Sequence, residues 1–95
     1  MKNYTAIYST EKLKNIQYSF CAENLERAKD FCKYKFSVPV ENIICHSINH
    51  KYFGKGKVIE INVCEENGCG IMLYVQFESD KIWIDAFKSE FEYEN

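Results

Sequence analysis

Apolar and polar positions alternate with a period of two over Tyr4–Thr10 and again over Ile16–Ala22, where Ile16, Tyr18, Phe20 and Ala22 share one face. The polar link Glu11-Lys12-Leu13-Lys14-Asn15 between them predicts a β-hairpin. The period then changes. Leu25, Ala28, Cys32 and Phe36 fall on one helical stripe, with Phe31 on its flank. Asn24 is a good N-cap, Glu23 and Glu26 sit where the helix dipole favours negative charge, and Lys33 and Lys35 sit where it favours positive charge. Val38-Pro39 stops the helix, because the ring cannot continue it and restricts the preceding residue, so the helix is predicted over 25–37. Downstream the period returns to two. A strand is predicted over 42–50, a Lys- and Gly-rich loop over 50–57, and three further strands near 58–65, 70–78 and 81–88, with turns at Glu66-Asn67-Gly68 and Ser79-Asp80. The order ββαβββ predicts an α+β fold: an antiparallel or mixed sheet with one helix packed on one face, in a single domain over 1–95.

Alternation also sets the register of the last three strands, because a slip of one residue moves every side chain to the opposite face. A two-residue Asn67-Gly68 turn would mix faces. A three-residue loop over 66–68, with Gly68 left-handed and a bulge, aligns Val63 with Ile71, Ile61 with Leu73 and Ile59 with Val75. A Ser79-Asp80 turn then sets Ala86 beside Leu73 and Ile84 beside Val75. The apolar face so formed is expected under the helix stripe. Its reverse carries the rows Val58–Gln76–Trp83, Glu60–Tyr74–Asp85 and Asn62–Met72–Phe87. One helix covers one side of a sheet, so this aromatic and acidic face is expected to stay open unless the hairpin folds across it, and open aromatic patches mark interaction sites. The plainer reading makes it a second, half-buried core face.

Composition narrows the class. Seven Phe, seven Tyr and one Trp in 95 residues supply bulk for a core that needs no disulfides. The five cysteines have irregular spacing and suit reduced thiols packed as small hydrophobes. The N-terminal alternation meets Glu11-Lys12 before any apolar run of signal-peptide length, so neither export nor membrane insertion is expected, and the chain is read as cytoplasmic. Charge is placed unevenly: residues 1–57 hold ten Lys/Arg against five acids, whereas residues 58–95 hold two Lys against nine acids. Such asymmetry bears on partners and association rates.

No spacing compels a particular chemistry. His46 and His50 lie four apart, which in a strand is roughly 13 Å, too far to share an ion. Cys45 and His46 point to opposite sides of a strand and cannot form a catalytic couple within it. Cys64 and Cys69 bracket a turn without a second pair of ligands. Glu60 and Asp85, expected about 9–10 Å apart across Tyr74, resemble an inverting-glycosidase pair only in separation. Gly54-Lys55-Gly56-Lys57 lacks the spacing and helix of a phosphate-binding loop. The chain is therefore read as not an enzyme, with no catalytic residue, metal or cofactor assigned.

Two surfaces remain. From Asp85 to Asn95 acids alternate with aromatics, and the last strand is expected to bring Glu90, Glu92 and Glu94 to the same end of the sheet as Glu65 and Glu66. Carboxylates beside rings present negative charge and flat apolar area together, as a nucleic acid does; the plainer reading, preferred for the segment in isolation, is a frayed, solubilising tail. The loop 50–57 instead combines Lys51, Lys55 and Lys57 for phosphates with Tyr52 and Phe53 for stacking on bases, although a solvated hairpin connection is the preferred reading of it. In size and composition the chain resembles the short Lys-, Asn- and Ile-rich proteins of phages and mobile elements of AT-rich bacteria, many of which inhibit host defence enzymes such as CRISPR effectors. The first reading is thus a protein-binding inhibitor that docks through Glu60, Glu65, Glu66, Tyr74, Trp83, Asp85, Phe87, Glu90, Phe91, Glu92, Tyr93 and Glu94 on a basic, nucleic-acid-handling protein. The alternatives are a small nucleic-acid-binding module using Lys51, Tyr52, Phe53, Lys55 and Lys57, and a homodimer joined through the reverse sheet face.

Overall fold

The computed structural model describes residues 1–64 and 70–95. Alternation over the first hairpin becomes an antiparallel pair, β1 (Lys2–Tyr8) and β2 (Ile16–Ala22), with Tyr4 opposite Phe20 and Ala6 opposite Tyr18. Asn15, in the left-handed region at φ 56, closes the connection, and its N–H donates to Ser9 Oγ. Helix α1 (Leu25–Lys35) begins as its sequence dictates, with the Asn24 side chain accepting from the Arg27 N–H at 3.0 Å. It ends at Lys35, two residues short of the predicted end, because Phe36 is already extended. Strand β3 (Val40–Cys45) then pairs with the other side of β1, giving the order β2-β1-β3.

One face of this sheet carries Tyr4, Ala6 and Tyr8 from β1, Tyr18 and Phe20 from β2, and Ile43 and Cys45 from β3. The helix stripe packs here: Phe31 stacks on Phe20 with centroids 4.5 Å apart, and Phe36 meets Tyr8 at 4.5 Å. That corrects the expectation that the stripe covers the C-terminal strands. The hairpin beside it in sequence already offers a matching set of rings.

Tyr4 is fully buried, and its hydroxyl meets no conventional hydrogen-bond partner, only the weakly polar thiol of the facing Cys45. Burial pushes its phenol up, with Cys45 adding to the effect, and burial also pushes the Cys32 thiol up. Both groups keep their protons in the folded state at pH values where the unfolded chain has lost them. Their contribution is therefore complete below the ordinary values of 9.0 and 10.0 and is lost as pH rises beyond them. Urea midpoints are expected to fall above that range. Tyr4→Phe, which removes a buried hydroxyl whose one neighbour is a weakly polar thiol, is expected to stabilise by about 1 kcal/mol at neutral pH and to flatten the alkaline fall.

The strand predicted over 42–50 is two strands in two sheets, β3 and β4 (Ser47–His50), separated by a bend at His46. The His46 N–H donates to Asn3 O at 2.9 Å, and His46 Nε2 lies 2.6 Å from Thr5 Oγ1. Residues Met1–His46 form one compact unit and Ser47–Glu94 a second. The second unit holds β4, β5 (Gly54–Cys64), β6 (Gly70–Gln76), β7 (Lys81–Asp85) and β8 (Phe91–Tyr93) in the antiparallel order β7-β6-β5-β4-β8. Among the described residues the chain is thus α+β, with one helix and two antiparallel sheets.

Val63 faces Ile71 and Ile61 faces Leu73, as the alternation requires; the 66–68 loop expected to set that register lies outside the described residues. A bulge then breaks the pattern. Val58 faces Val75 and Glu60 faces Tyr74, so Ile59 is the extra residue. Val58, expected on the reverse face, is 2% exposed, and Ile59, expected inside, is 47% exposed. Between β6 and β7 the register is offset by two from the expected one, with Leu73 facing Ile84 and Val75 facing Ile82, because residues 77–80 form the connection, closed by the Phe77 N–H on Asp80 O at 2.8 Å. An offset of two keeps every side chain on its face and changes only the rows. The inner face buries Ile48, Val58, Ile71, Leu73, Val75 and Phe77. His50 is buried beside them, its ring 4.8 Å from Phe53 and 5.7 Å from Phe77, with Nδ1 accepting the Tyr52 N–H at 3.1 Å.

Candidate functional site

The outer face of the five-stranded sheet is set by the observed registers. Glu60, Tyr74 and Trp83 form one row, Asn62, Met72 and Asp85 the next, and Lys57, Gln76 and Lys81 the row on the other side. Tyr74 and Trp83 stack with centroids 4.8 Å apart and planes inclined by 27°. After β7 the Asp85 carboxylate accepts the Phe87 N–H at 2.9 Å, and the Phe87 ring lies over Gly70, 4.0 Å from where a Cβ there would sit. Trp83 keeps 45% and Phe87 65% of its surface exposed. The bulge adds Ile59 to the exposed apolar residues of the unit, which alternation alone places inside.

Five expected residues, Glu60, Tyr74, Trp83, Asp85 and Phe87, therefore belong to this part of the sheet. Glu60 and Asp85 fall in adjacent rows, not in one row across Tyr74, so the paired-carboxylate geometry expected of them does not form.

The acidic end is placed elsewhere. Strand β8 pairs with β4, at the opposite margin of the sheet from β7. Glu92 lies in a row with Asn49 and Lys55, and the Glu94 N–H donates to Ser47 O, which brings Glu94 level with Lys57. Lys55 Nζ is 3.6 Å from Glu94 Oε2. The lysine is largely solvated and the carboxylate half-buried, so the pair adds little stability, but it offsets charge locally. The Lys-rich segment and the acidic tail, which compete as surfaces on paper, are neighbours on one margin. Glu65 and Glu66 lie outside the described residues. Phe91 is buried and Tyr93 donates its hydroxyl to Ala86 O at 2.8 Å, so both rings serve the core, whereas Glu90 stays exposed beside the turn, its carbonyl accepting the Lys51 N–H at 2.9 Å.

The loop expected over 50–57 shrinks to a turn over 51–53, since β5 starts at Gly54. Lys55 and Lys57 stand on the outer face of β5, and Phe53 leans on His50 and on Phe77 at 5.3 Å. Tyr52 and Lys51 remain exposed. Tyr52 keeps 77% and Phe53 44% of its surface exposed.

In the first unit a cavity of about 540 Å³ lies between α1 and β3, with Leu25, Cys32, Phe36, Val38 and Ile43 in its lining and Lys29, Lys33 and Glu41 at its rim. The Cys32 thiol, pushed up by burial, stays protonated and is a poor nucleophile, and the lining holds no imidazole to activate it. Thr5 also bridges Ser19 Oγ at 3.1 Å and His46, a contact no spacing along the chain announces. Its evident role is to hold the bend. Among the described residues no group of three or more His, Cys, Asp or Glu is placed to hold a metal, and no helix is long and apolar enough to cross a membrane. The second unit carries five Lys against nine acids and the first seven Lys/Arg against five acids. No family model matches the chain, nor does any curated protein or solved structure.

Proposed function

We propose that the chain is a non-enzymatic binding protein that docks a partner protein of basic surface on the open sheet face around Trp83. The observation that carries this reading is the Trp83–Tyr74 stack standing half open to solvent. Stacked rings give a rigid, flat apolar area at low ordering cost, which is why Trp and Tyr dominate binding hot spots. Glu60 and Asp85 beside them, on a unit with an excess of acids, steer a basic partner and reward it on contact. An inhibitor that covers the basic groove of a nucleic-acid-handling enzyme, of the kind encoded by phages and mobile elements, fits this chemistry. The Lys55–Glu94 pairing weighs against nucleic acid as the ligand, because it sets a carboxylate beside a lysine that phosphates would need.

The test is capture from a host lysate with the wild-type chain, Trp83→Ala and Glu60→Lys as bait, at low and raised salt. Trp83→Ala is expected to weaken capture of a basic protein by about thirtyfold or more, the loss typical of a central hot spot. Glu60→Lys is expected to weaken it and to reduce its salt dependence. Identical captures by all three baits would rule the surface out.

A further inference from the structure

We propose that β7 is a self-complementary edge through which two copies of the chain pair as an antiparallel dimer. β7 is the marginal strand of its sheet. The Phe77 N–H bonds Asp80 O and the Ala86 N–H bonds Ile71 O, which marks these as hydrogen-bonded pairs of the β6–β7 register. In an antiparallel ladder such pairs alternate with non-bonded ones, so Ile82 and Ile84 turn their backbone polar groups toward β6. Lys81, Trp83 and Asp85 turn theirs to the open margin. An edge of this kind is a template for another strand, and proteins normally blunt it with charge.

Here the charges do the opposite. The strand reads Lys81-Ile82-Trp83-Ile84-Asp85, with a lysine at one end and an aspartate at the other. Pairing about a two-fold axis at Trp83 sets Trp83 against the copy's Trp83, Ile82 against Ile84, and each Lys81 against an Asp85. The Trp83 backbones exchange both hydrogen bonds, and each Asp85 N–H reaches the facing Lys81 carbonyl. One Asp85 carboxylate oxygen is used by the Phe87 N–H, which leaves the other for the lysine. On the outer face the Tyr74–Trp83 stack of each copy joins into a ladder of rings, and on the inner face isoleucine meets isoleucine. The opposite margin has no such match. A two-fold pairing of β8 would oppose Glu92 to itself and Glu90 to Glu94, so every charged row would repel.

This goes beyond the docking reading, since it uses the margin of β7 and leaves the face above the rings open. Light scattering over a dilution series is expected to show mass rising from 11.2 kDa to twice that value with concentration. Emission from Trp83, the sole tryptophan, is expected to shift to the blue in step. Lys81→Glu and Asp85→Lys each oppose like charges at both symmetric positions and are expected to raise the dimer dissociation constant about tenfold or more. The double variant restores opposite charges and is expected to return to within about threefold of wild type. Asp85→Lys forfeits the bond to Phe87, so Lys81→Glu, at an exposed position, carries the test if the former fails to fold. Glu60→Lys is expected to leave the dimer intact, and monomeric Lys81→Glu to keep partner capture, which separates failure of the dimer from failure of the docking face. A monomer at every concentration, a dimer without a Trp83 shift, or a folded double variant as weak as the single ones would overturn the proposal.

Discussion

A Gly56→Val chain is expected to lose at least about 3 kcal/mol of stability, a large share of what a domain of this size has to spare. Gly56 sits in β5 opposite Ile48, on the inner face, where a Cβ would come within 2.6 Å of Val75 Cγ1 and of Phe77 Cε1. Both neighbours are buried and packed, so neither has room to withdraw. Gly56→Ala, with a single carbon to place, is expected to cost roughly 1–3 kcal/mol. In a Phe77→Leu background that cost is expected to shrink, because the two positions share one volume and their effects do not add. Urea denaturation of the four chains closes the cycle. At Gly54, with open space around it and φ at 75, the cost of alanine comes from the backbone alone, about 1 kcal/mol. A Gly56→Val chain that unfolds at the wild-type midpoint would show that β5 does not lie against Phe77.

A chain shortened to end at Glu90 is expected to be destabilised by roughly 3–5 kcal/mol, the sum of a buried aromatic ring and a few hydrogen bonds. Beyond Glu90, Phe91–Tyr93 form β8: Phe91 is buried against His50 with the rings nearly parallel, Tyr93 binds the Ala86 carbonyl, and the strand occupies the free side of β4. An unstructured tail would be lost at almost no cost. Thermal melts of the two chains distinguish these cases, and matching melts would mean that β8 does not hold the β4 margin.

Local features were the most legible. The Asn24 cap, the helix start and the alternation of β6 follow from side chains that act within a turn or on one face, and the structure keeps them. The Trp83 face was legible for the same reason, since parity along β6 and β7 survives an offset of two. What escaped reading depends on partners distant in sequence. Nothing in Asn42-Ile43-Ile44-Cys45-His46-Ser47-Ile48 marks the residue at which the chain changes sheets, because no Gly or Pro interrupts the run. The bulge at Ile59 inverts two apolar residues that differ too little to signal it. The run Phe91-Glu92-Tyr93 has the period of a strand, but short length and flanking acids make it look like a solvated end; only the unmatched side of β4 explains its place.

The pairing of β8 with β4 also bears on how the chain is made. β4 acquires β5 almost at once, since the two are joined by a three-residue turn, whereas its other neighbour emerges from the ribosome nearly half a chain length later. Throughout that interval the free side of β4 lacks its partner strand, so this margin is the last part of the sheet that can close.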